Sequence, residues 1–527
     1  MQAIHFLFRY CSALLLFASP YFLLAQDPVA VEYSNLLSTD SVYHSISVLS
    51  SDSLEGRETG RPGQKKAAAF IRSAFERNGL LPGVYGTYDQ FHPVTARSCD
   101  NCNVEVNQQF FVFMRDYFYA SGYNDTMLVI DTVHFVGYGI SDPAYDDYKN
   151  QNLFGKTIIF CDGEPRKKSG KYFLTKEKTQ SAWSTDWRKK VELIYEKKPR
   201  LALIITDSLE AIADSFNYKT IDPGFMSLVR SSGAIPIVFI TKAMALRFFP
   251  ETNDNLLSGA ISKISRKRKP VSLVQSANAV ITISSNTDRL KGQNIIAYIE
   301  GYEKKEEAVF VTAHYDHLGN HDSLIYHGAD DNASGTSAVV EMARVFSKAA
   351  NEGHRPRRSI YFMLVSGEEK GLLGSKYYVK RPVVPLQNTV VDLNTDMIGR
   401  VDDKHDSITE KNYVYIIGSD KLSSELHEIN ERVNKNITRL TLDYTYNKPG
   451  DPNRFYFRSD HYNFAKNNVP VIFYFNGTHQ DYHRETDTID KIDTSLLINR
   501  ARLVFLTAWE VANRKDRIRV DTKPEKE

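Results

Sequence analysis

Apolar positions along the chain change rhythm from block to block. Across 31–127 the spacing starts out helical. Val42, Ile46 and Leu49 recur at three- to four-residue steps, and in Gln64–Arg77 Ala67, Phe70, Ile71, Ala74 and Phe75 share one face. That pattern predicts an amphipathic helix, with Gly79 as its stop. Across 128–272 short apolar runs broken by Gly, Asp and Pro predict strands near 133–139, 157–161, 202–205 and 235–240. The basic run Ser262–Pro270 closes that block and reads as a solvated linker or hairpin rather than a site for an acidic partner.

From 277 to 513 the expected elements alternate. Strands are predicted at 294–299, 308–313, 359–365, 389–394 and 469–475. Helices are predicted from Gly335, around 374–379, at 422–433 and at 495–512. Such alternation predicts an α/β protein with a mostly parallel central sheet flanked by helices, and with a β-rich insert at 128–272. Residues 514–527 form a charged tail.

A length of 527 residues allows one to three domains and a sizeable core. With 66 Lys and Arg against 64 Asp and Glu, the formal charge is +2, which gives no support for nucleic acid as a partner. Residues 1–25 carry one basic residue, Arg9, then apolar runs and a small residue, Ala25. They read as a cleaved signal peptide, so the mature chain is expected to be secreted or periplasmic. Beyond them no uninterrupted apolar run is long enough to predict a membrane span. Cys99, Cys102 and Cys161 would remain in the mature chain. Cys99-x-x-Cys102 reads as a local disulfide or free thiols, not as a metal site.

The polar residues of the last block gather at the ends of its strands. His314-Tyr-Asp316-His317 follows the strand at 308–313, and Gly328-Ala-Asp330-Asp331-Asn-Ala-Ser-Gly335 opens a helix. Ser366-Gly-Glu368-Glu369 follows 359–365, Asp396 follows 389–394, and His479 to Asp487 follows 469–475. Parallel sheets bind ligands outside the carboxyl ends of their strands, so five segments rich in His, Asp and Glu converge on one edge. Imidazole and carboxylate suit zinc, and a shared Asp can bridge two ions. The Glu368-Glu369 doublet can send one carboxylate to metal and leave the other to shuttle a proton. There is no His-Glu-x-x-His, no Gly-x-Ser-x-Gly and no phosphate-binding Gly-x-x-x-x-Gly-Lys.

With Arg458-Ser-Asp-His461 and Tyr482-His-Arg-Glu-Thr-Asp-Thr488, these motifs resemble the co-catalytic dizinc aminopeptidases of clan MH, over 31–127 and 277–513. The resemblance implies a zinc peptidase fold and two Zn²⁺ ions, one completed by His314 and Asp396 and the other by Glu369 and His483. It implies Asp331 as the bridge, Glu368 as general base, Asp316 behind His314, and Tyr482 as donor to the oxyanion. Asp460 and His461 would support the ligands or the substrate pocket. The middle block, with Phe135-Val-Gly-Tyr-Gly-Ile140 and Gly155-Lys-Thr-Ile-Ile-Phe160, resembles a protease-associated domain that would wall the cleft.

The expected activity is removal of N-terminal residues from peptides. The same metal centre would also serve a carboxypeptidase, for which Arg400, Arg458 and Arg484 offer cations. A one-zinc glutaminyl cyclase and a silent binding ectodomain are the other readings.

Overall fold

The computed structural model describes residues 27–523 apart from 114, 122–125, 210–211, 213–224, 228–234, 250–255, 322 and 407–410. The expected signal peptide lies outside the described residues, as do the side chains of Cys99 and Cys102. Cys161 is a free, buried thiol.

Two helices lead in, α1 (Thr39–Leu49) and α2 (Pro62–Arg77). A long strand, β1 (Asp89–Val106), then carries the chain away from them. The next strands are β2 (Tyr117–Ser121), β3 (Thr126–Val136), β4 (Thr157–Cys161), β5 (Leu201–Thr206) and β6 (Ile237–Thr241), with helix α3 (Arg188–Lys197) between β4 and β5. The chain returns along β7 (Ser272–Ile299), which pairs antiparallel with β1 from Ala279↔Val106 to Ile295↔Asp89. Residues 107–271 thus form a lobe hung on a two-stranded ribbon.

The other body holds β8 (Lys304–His314), α4 (Gly335–Asn351), β9 (Arg358–Val365), α5 (Leu373–Lys380) and β10 (Thr389–Thr395). It continues with β11 (Tyr413–Ile417), α6 (Ser424–Val433), β12 (Thr441–Asp443), β13 (Val471–Phe475) and α7 (Thr494–Asn513). Its strand order is β12-β11-β13-β10-β8-β9-β7, and β7 continues into the lobe as β7-β3-β4-β5-β6-β2.

The expected strand and helix positions of this body are close to those found, because each strand is a short apolar run buried on both faces. Helices α1, α2, α4 and α7 cover one face, where the ring of Phe346 lies 4.2 Å from Phe505 and 5.6 Å from Trp509. Tyr378 of α5 packs on the other face, against Phe310 and Phe464. No described helix is long and apolar enough to cross a membrane.

Two expectations need correction. The sheet is mixed rather than mostly parallel: β8, β9, β10 and β13 run parallel, but β7 meets β9 antiparallel and β11 meets β13 antiparallel. The β7 joint follows from its path, since it returns from the lobe and must reach the edge of β9 without a crossover helix. The basic run at 262–270 is neither linker nor hairpin through Lys267. It ends a helix, Leu256–Lys267, whose Leu257, Ala260 and Ile264 are buried. The periodic apolar residues lie just upstream, and Arg266 and Lys267 complement the carbonyl end of the helix dipole.

Candidate metal centre

Four parallel strands deliver the site. β8 ends on His314, β9 leads through Gly367 to Glu368 and Glu369, β10 hands over to Asp396, and β13 leads to the loop holding Tyr482 and His483. Gly367 turns sharply at φ +85° and leaves no room for a side chain, since a Cβ there would lie 2.8 Å from that of Leu373. The loop before α4 supplies Asp331. Its closure requires Gly335, where a Cβ would fall 2.4 Å from Asn332 Oδ1 and 2.5 Å from the Thr395 carbonyl.

Asp331 sits between two groups of side chains. Its Oδ1 is 3.4 Å from His314 Nε2, which is itself 3.3 Å from Asp396 Oδ1. Its Oδ2 is 3.1 Å from His483 Nε2, and that nitrogen is 3.1 Å from Glu369 Oε2. One ligand atom from each of His314, Asp331 and Asp396 falls within 4.8 Å of the others, and the same holds for His317, Asp331 and Glu369. Glu368 Oε2 stands 4.0 Å from His314 Nε2, and Glu368 lines the cavity that opens onto the cluster. All five sequence-expected ligands and the expected base are therefore brought together.

The electrostatics fit a cation. Burial disfavours charge on His314, yet the carboxylates of Asp396 and Glu368 hold its pKa well above the ordinary value. His483 behaves alike: burial lowers it, but Glu369 and Asp331 raise it to about 10. Burial and Asp331 push Glu369 up, while His483 and His317 outweigh them and hold it at about 2. Burial raises Glu368 well above the usual carboxylate range, helped by Glu369 and Asp396. Packed carboxylates of this kind recruit protons onto the imidazoles, and divalent ions would answer the same need. His317 turns its Nδ1, not the unpartnered Nε2, towards the carboxylates, 2.8 Å from Glu369 Oε1 and 3.8 Å from Asp331 Oδ2.

Around the cluster the supports are specific. His314 Nδ1 is 3.1 Å from the Asp316 main-chain oxygen and 3.7 Å from its carboxylate, which accepts from Thr59 Oγ1 at 2.8 Å. Ser459 Oγ donates to Asp396 Oδ2 at 2.7 Å. The Asp487 carboxylate accepts from the backbone N–H groups of Asp330 and Asp331 at 3.0 and 3.1 Å. Asp330 itself turns away from the cluster, accepting from Gly399 N at 2.7 Å and lying 3.2 Å from His479 Nε2. The Tyr482 ring stacks on that of His483 at 3.9 Å, and its phenol lines the cavity side.

Asp460 and His461 lie apart from the ligands. Asp460 accepts from Ser375 Oγ at 2.5 Å, and His461 stacks on Phe473 at 4.8 Å with both ring nitrogens unpartnered. Burial lifts the Asp460 carboxyl to about 7 and lowers His461 to about 3, so His461 is a neutral packing group behind the cavity wall.

Several contributors are absent from the sequence expectations. His317 stands 2.8 Å from Glu369 Oε1, and its place three residues after His314 was the available signal. Arg57 is fully buried, and its guanidinium donates to the carbonyls of Leu49, Tyr315, His327 and Gly328. It ties the N-terminal segment to both metal loops, and nothing in its local sequence announces that role.

Fold and site together define an α/β protein with a His/carboxylate metal centre at the carboxyl edge of its parallel strands. Residues 294–508 match the family model described as Peptidase family M28. A probable leucine aminopeptidase of Arthroderma otae is 32% identical over 231 residues, covering 42% of this chain and 58% of the relative. The aminopeptidase YwaD of Bacillus subtilis is 26% identical over 287 residues, covering 53% of this chain and 57% of the relative. The chain thus spans less than two thirds of the length of these relatives. An aminopeptidase from Aneurinibacillus sp. strain AM-1 shares the fold at TM-score 0.58 and 17% identity, covering 94% of this chain and 100% of that one. A zinc aminopeptidase from Bacillus subtilis does so at TM-score 0.52 and 21% identity, covering 92% and 99%.

Proposed function

We propose that the protein is a zinc-dependent exopeptidase that hydrolyses N-terminal residues from peptides, with two metal ions held by His314, Asp396, Glu369 and His483 and bridged by Asp331. The observation that carries this reading is the division of the Asp331 carboxylate between two His/carboxylate groups, with Glu368 beside them. The relatives named as leucine aminopeptidase and aminopeptidase support the choice of the N-terminal end. Zinc bound there would supply Lewis acidity to the scissile carbonyl and to water.

The chain's own residues do the rest. Glu368, whose proton affinity burial raises, takes a proton from the attacking water and returns it to the leaving amine. Tyr482 keeps its phenol protonated, since burial raises its pKa, and donates a hydrogen bond to the oxygen of the tetrahedral intermediate. Met397, Phe455 and Phe473 offer an apolar wall to the first side chain. The lobe at 107–271 acts as a protease-associated insert that walls the cleft. Its Asp186 pairs with Arg454 at 3.0 Å, next to the cavity-lining Phe455. Residues 1–25 support export to a secreted or periplasmic location.

A one-zinc glutaminyl cyclase would leave half of the shared carboxylate unused, and a silent ectodomain has no need of Glu368 at this place. For a carboxypeptidase Arg400 is already paired with Asp481 at 2.8 Å, whereas Arg458 lines the cavity without an ion pair, so the choice of the N-terminal end rests on the named relatives and on the experiment that follows. The deciding experiment supplies zinc to the purified protein and compares short peptides with free and acetylated N-termini. Stepwise N-terminal trimming of the free peptides alone is expected. Equal C-terminal trimming of the acetylated peptides would replace this reading with a carboxypeptidase.

A further inference from the structure

A cleft opens onto the metal cluster, and its volume of about 350 Å³ includes space open to solvent. Among the described residues Arg458 is the only lysine or arginine lining it. Three neighbouring cations have counter-charges: Arg400 pairs with Asp481 at 2.8 Å, Arg454 with Asp186 at 3.0 Å, and Lys370 with Glu58 at 3.0 Å, while Arg484 is exposed and does not line the cavity. Arg458 differs. Its guanidinium lies over the Phe455 ring, 4.8 Å from the centroid, and gives one N–H to Tyr482 Oη at 3.3 Å. No carboxylate among the described residues forms an ion pair with it, although the cavity also holds Asp331, Glu368 and Asp396. A guanidinium stacked on a ring keeps its edge donors free, so most of its five N–H groups remain available at the cavity mouth.

We infer that Arg458 is a specificity-determining residue that binds the free C-terminal carboxylate of a dipeptide, so that the enzyme favours dipeptides over longer or C-terminally blocked peptides. The inference rests on the exopeptidase reading above and names its substrate class. In a dipeptide the carboxylate sits only three bonds beyond the scissile carbonyl carbon. Arg458 reaches Tyr482 Oη, the donor assigned to that carbonyl oxygen, so a carboxylate at this remove lies within its range. The Asp186–Arg454 pair lies beside the cavity-lining Phe455, which brings the lobe to the rim on that side. A forked, charge-assisted contact to a carboxylate is the contact Arg makes best.

The test measures kcat/KM of the zinc-loaded full chain for leucyl-glycine, its C-terminal amide, leucyl-glycyl-glycine and glutamyl-glycine amide, with Arg458→Met alongside. The free dipeptide is expected to exceed its amide by about tenfold, and Arg458→Met to bring that ratio close to one with zinc content unchanged. A ratio near one in the parent, or a ratio that survives Arg458→Met, overturns the inference. So does an equal loss on both substrates, which would make Arg458 a support for Tyr482, or a preference for glutamyl-glycine amide, which would place the anion in the first side chain. Calorimetry on Glu368→Gln gives a reading independent of turnover. The dipeptide should bind about tenfold tighter than its amide, and adding Arg458→Met should erase the difference. If no peptide is cleaved but this binding preference holds, the exopeptidase reading fails and the carboxylate site stands.

Discussion

Asp331 faces two histidines at once, with Oδ1 3.4 Å from His314 Nε2 and Oδ2 3.1 Å from His483 Nε2. A carboxylate so placed can serve two ions with its two oxygens. Removing it should therefore empty both clusters. Asp331→Ala is expected to lose most bound zinc by elemental analysis while keeping its far-UV circular dichroism. Two zinc ions per folded chain in that variant would exclude Asp331 as the bridge.

Glu368 stands 4.0 Å from His314 Nε2 and belongs to neither ligand group. Glu368→Gln should keep its zinc and lose about 10²–10⁴ in kcat, the usual weight of general acid–base catalysis. Zinc loss in this variant would instead make Glu368 a ligand.

Ser459 Oγ donates to Asp396 Oδ2 at 2.7 Å and receives from Asn394 Nδ2 at 3.0 Å, so it fixes one ligand's orientation. Ser459→Ala should weaken zinc binding about 10- to 100-fold, the usual cost of losing such a support. Competition with a coloured chelator measures it, and unchanged affinity would remove Ser459 from the site.

Protonation gives the metal-free protein a defined pH response. His483 rises to about 10 when folded, so its contribution to stability is complete below its ordinary value of ~6.5 and is lost as pH climbs through about 10. Glu369 is held at about 2, so its contribution is complete above ~4.3 and is lost as pH falls through about 2. Urea midpoints of chelator-treated protein should therefore peak between roughly pH 4.5 and 6.5. Zinc added near pH 7 should release protons, because the imidazoles must lose theirs to bind it. A flat midpoint from pH 5 to 9, or zinc uptake without proton release, would contradict these assignments.

Arg57 donates to four buried or part-buried carbonyls and has no exposed surface. Arg57→Leu should cost about 3 kcal/mol or more, since each buried acceptor left unsatisfied costs ~1–3 kcal/mol. Arg57→Lys should recover little, because an ammonium cannot reproduce the guanidinium fork. Urea unfolding would show it, and a loss below about 1 kcal/mol would reduce Arg57 to a packing role.

Much of the fold was legible because its signal is local. Strands such as Val309–Ala313 and Ile360–Val365 are apolar runs between polar breaks, and α4 and α7 follow the helical period. Four strands were not legible, β1, β2, β11 and β12. β1 mixes polar and apolar residues because it serves as one arm of a ribbon, and β11 is a short tyrosine-rich run buried by Tyr446 and His405. The helix at Leu256–Lys267 was hidden by its basic end, which drew the reading away from the apolar steps before it.

The site divides in the same way. His314, Glu368, Glu369, Asp396 and His483 could be picked out because each closely follows a strand, and strand ends of a parallel sheet share an edge whatever the rest of the fold does. Tertiary structure alone decided that Asp331 faces the cluster while Asp330 turns to His479, that Ser459 rather than Asp460 holds Asp396, and that Arg57 clamps the loops from more than 250 residues away. It also decided that Arg458 lines the cavity and, among the described residues, forms no ion pair there. Position along a strand is a local property written in hydrophobic period. The partner of a buried polar group is whatever the packed chain brings within hydrogen-bond reach, and no local pattern encodes that.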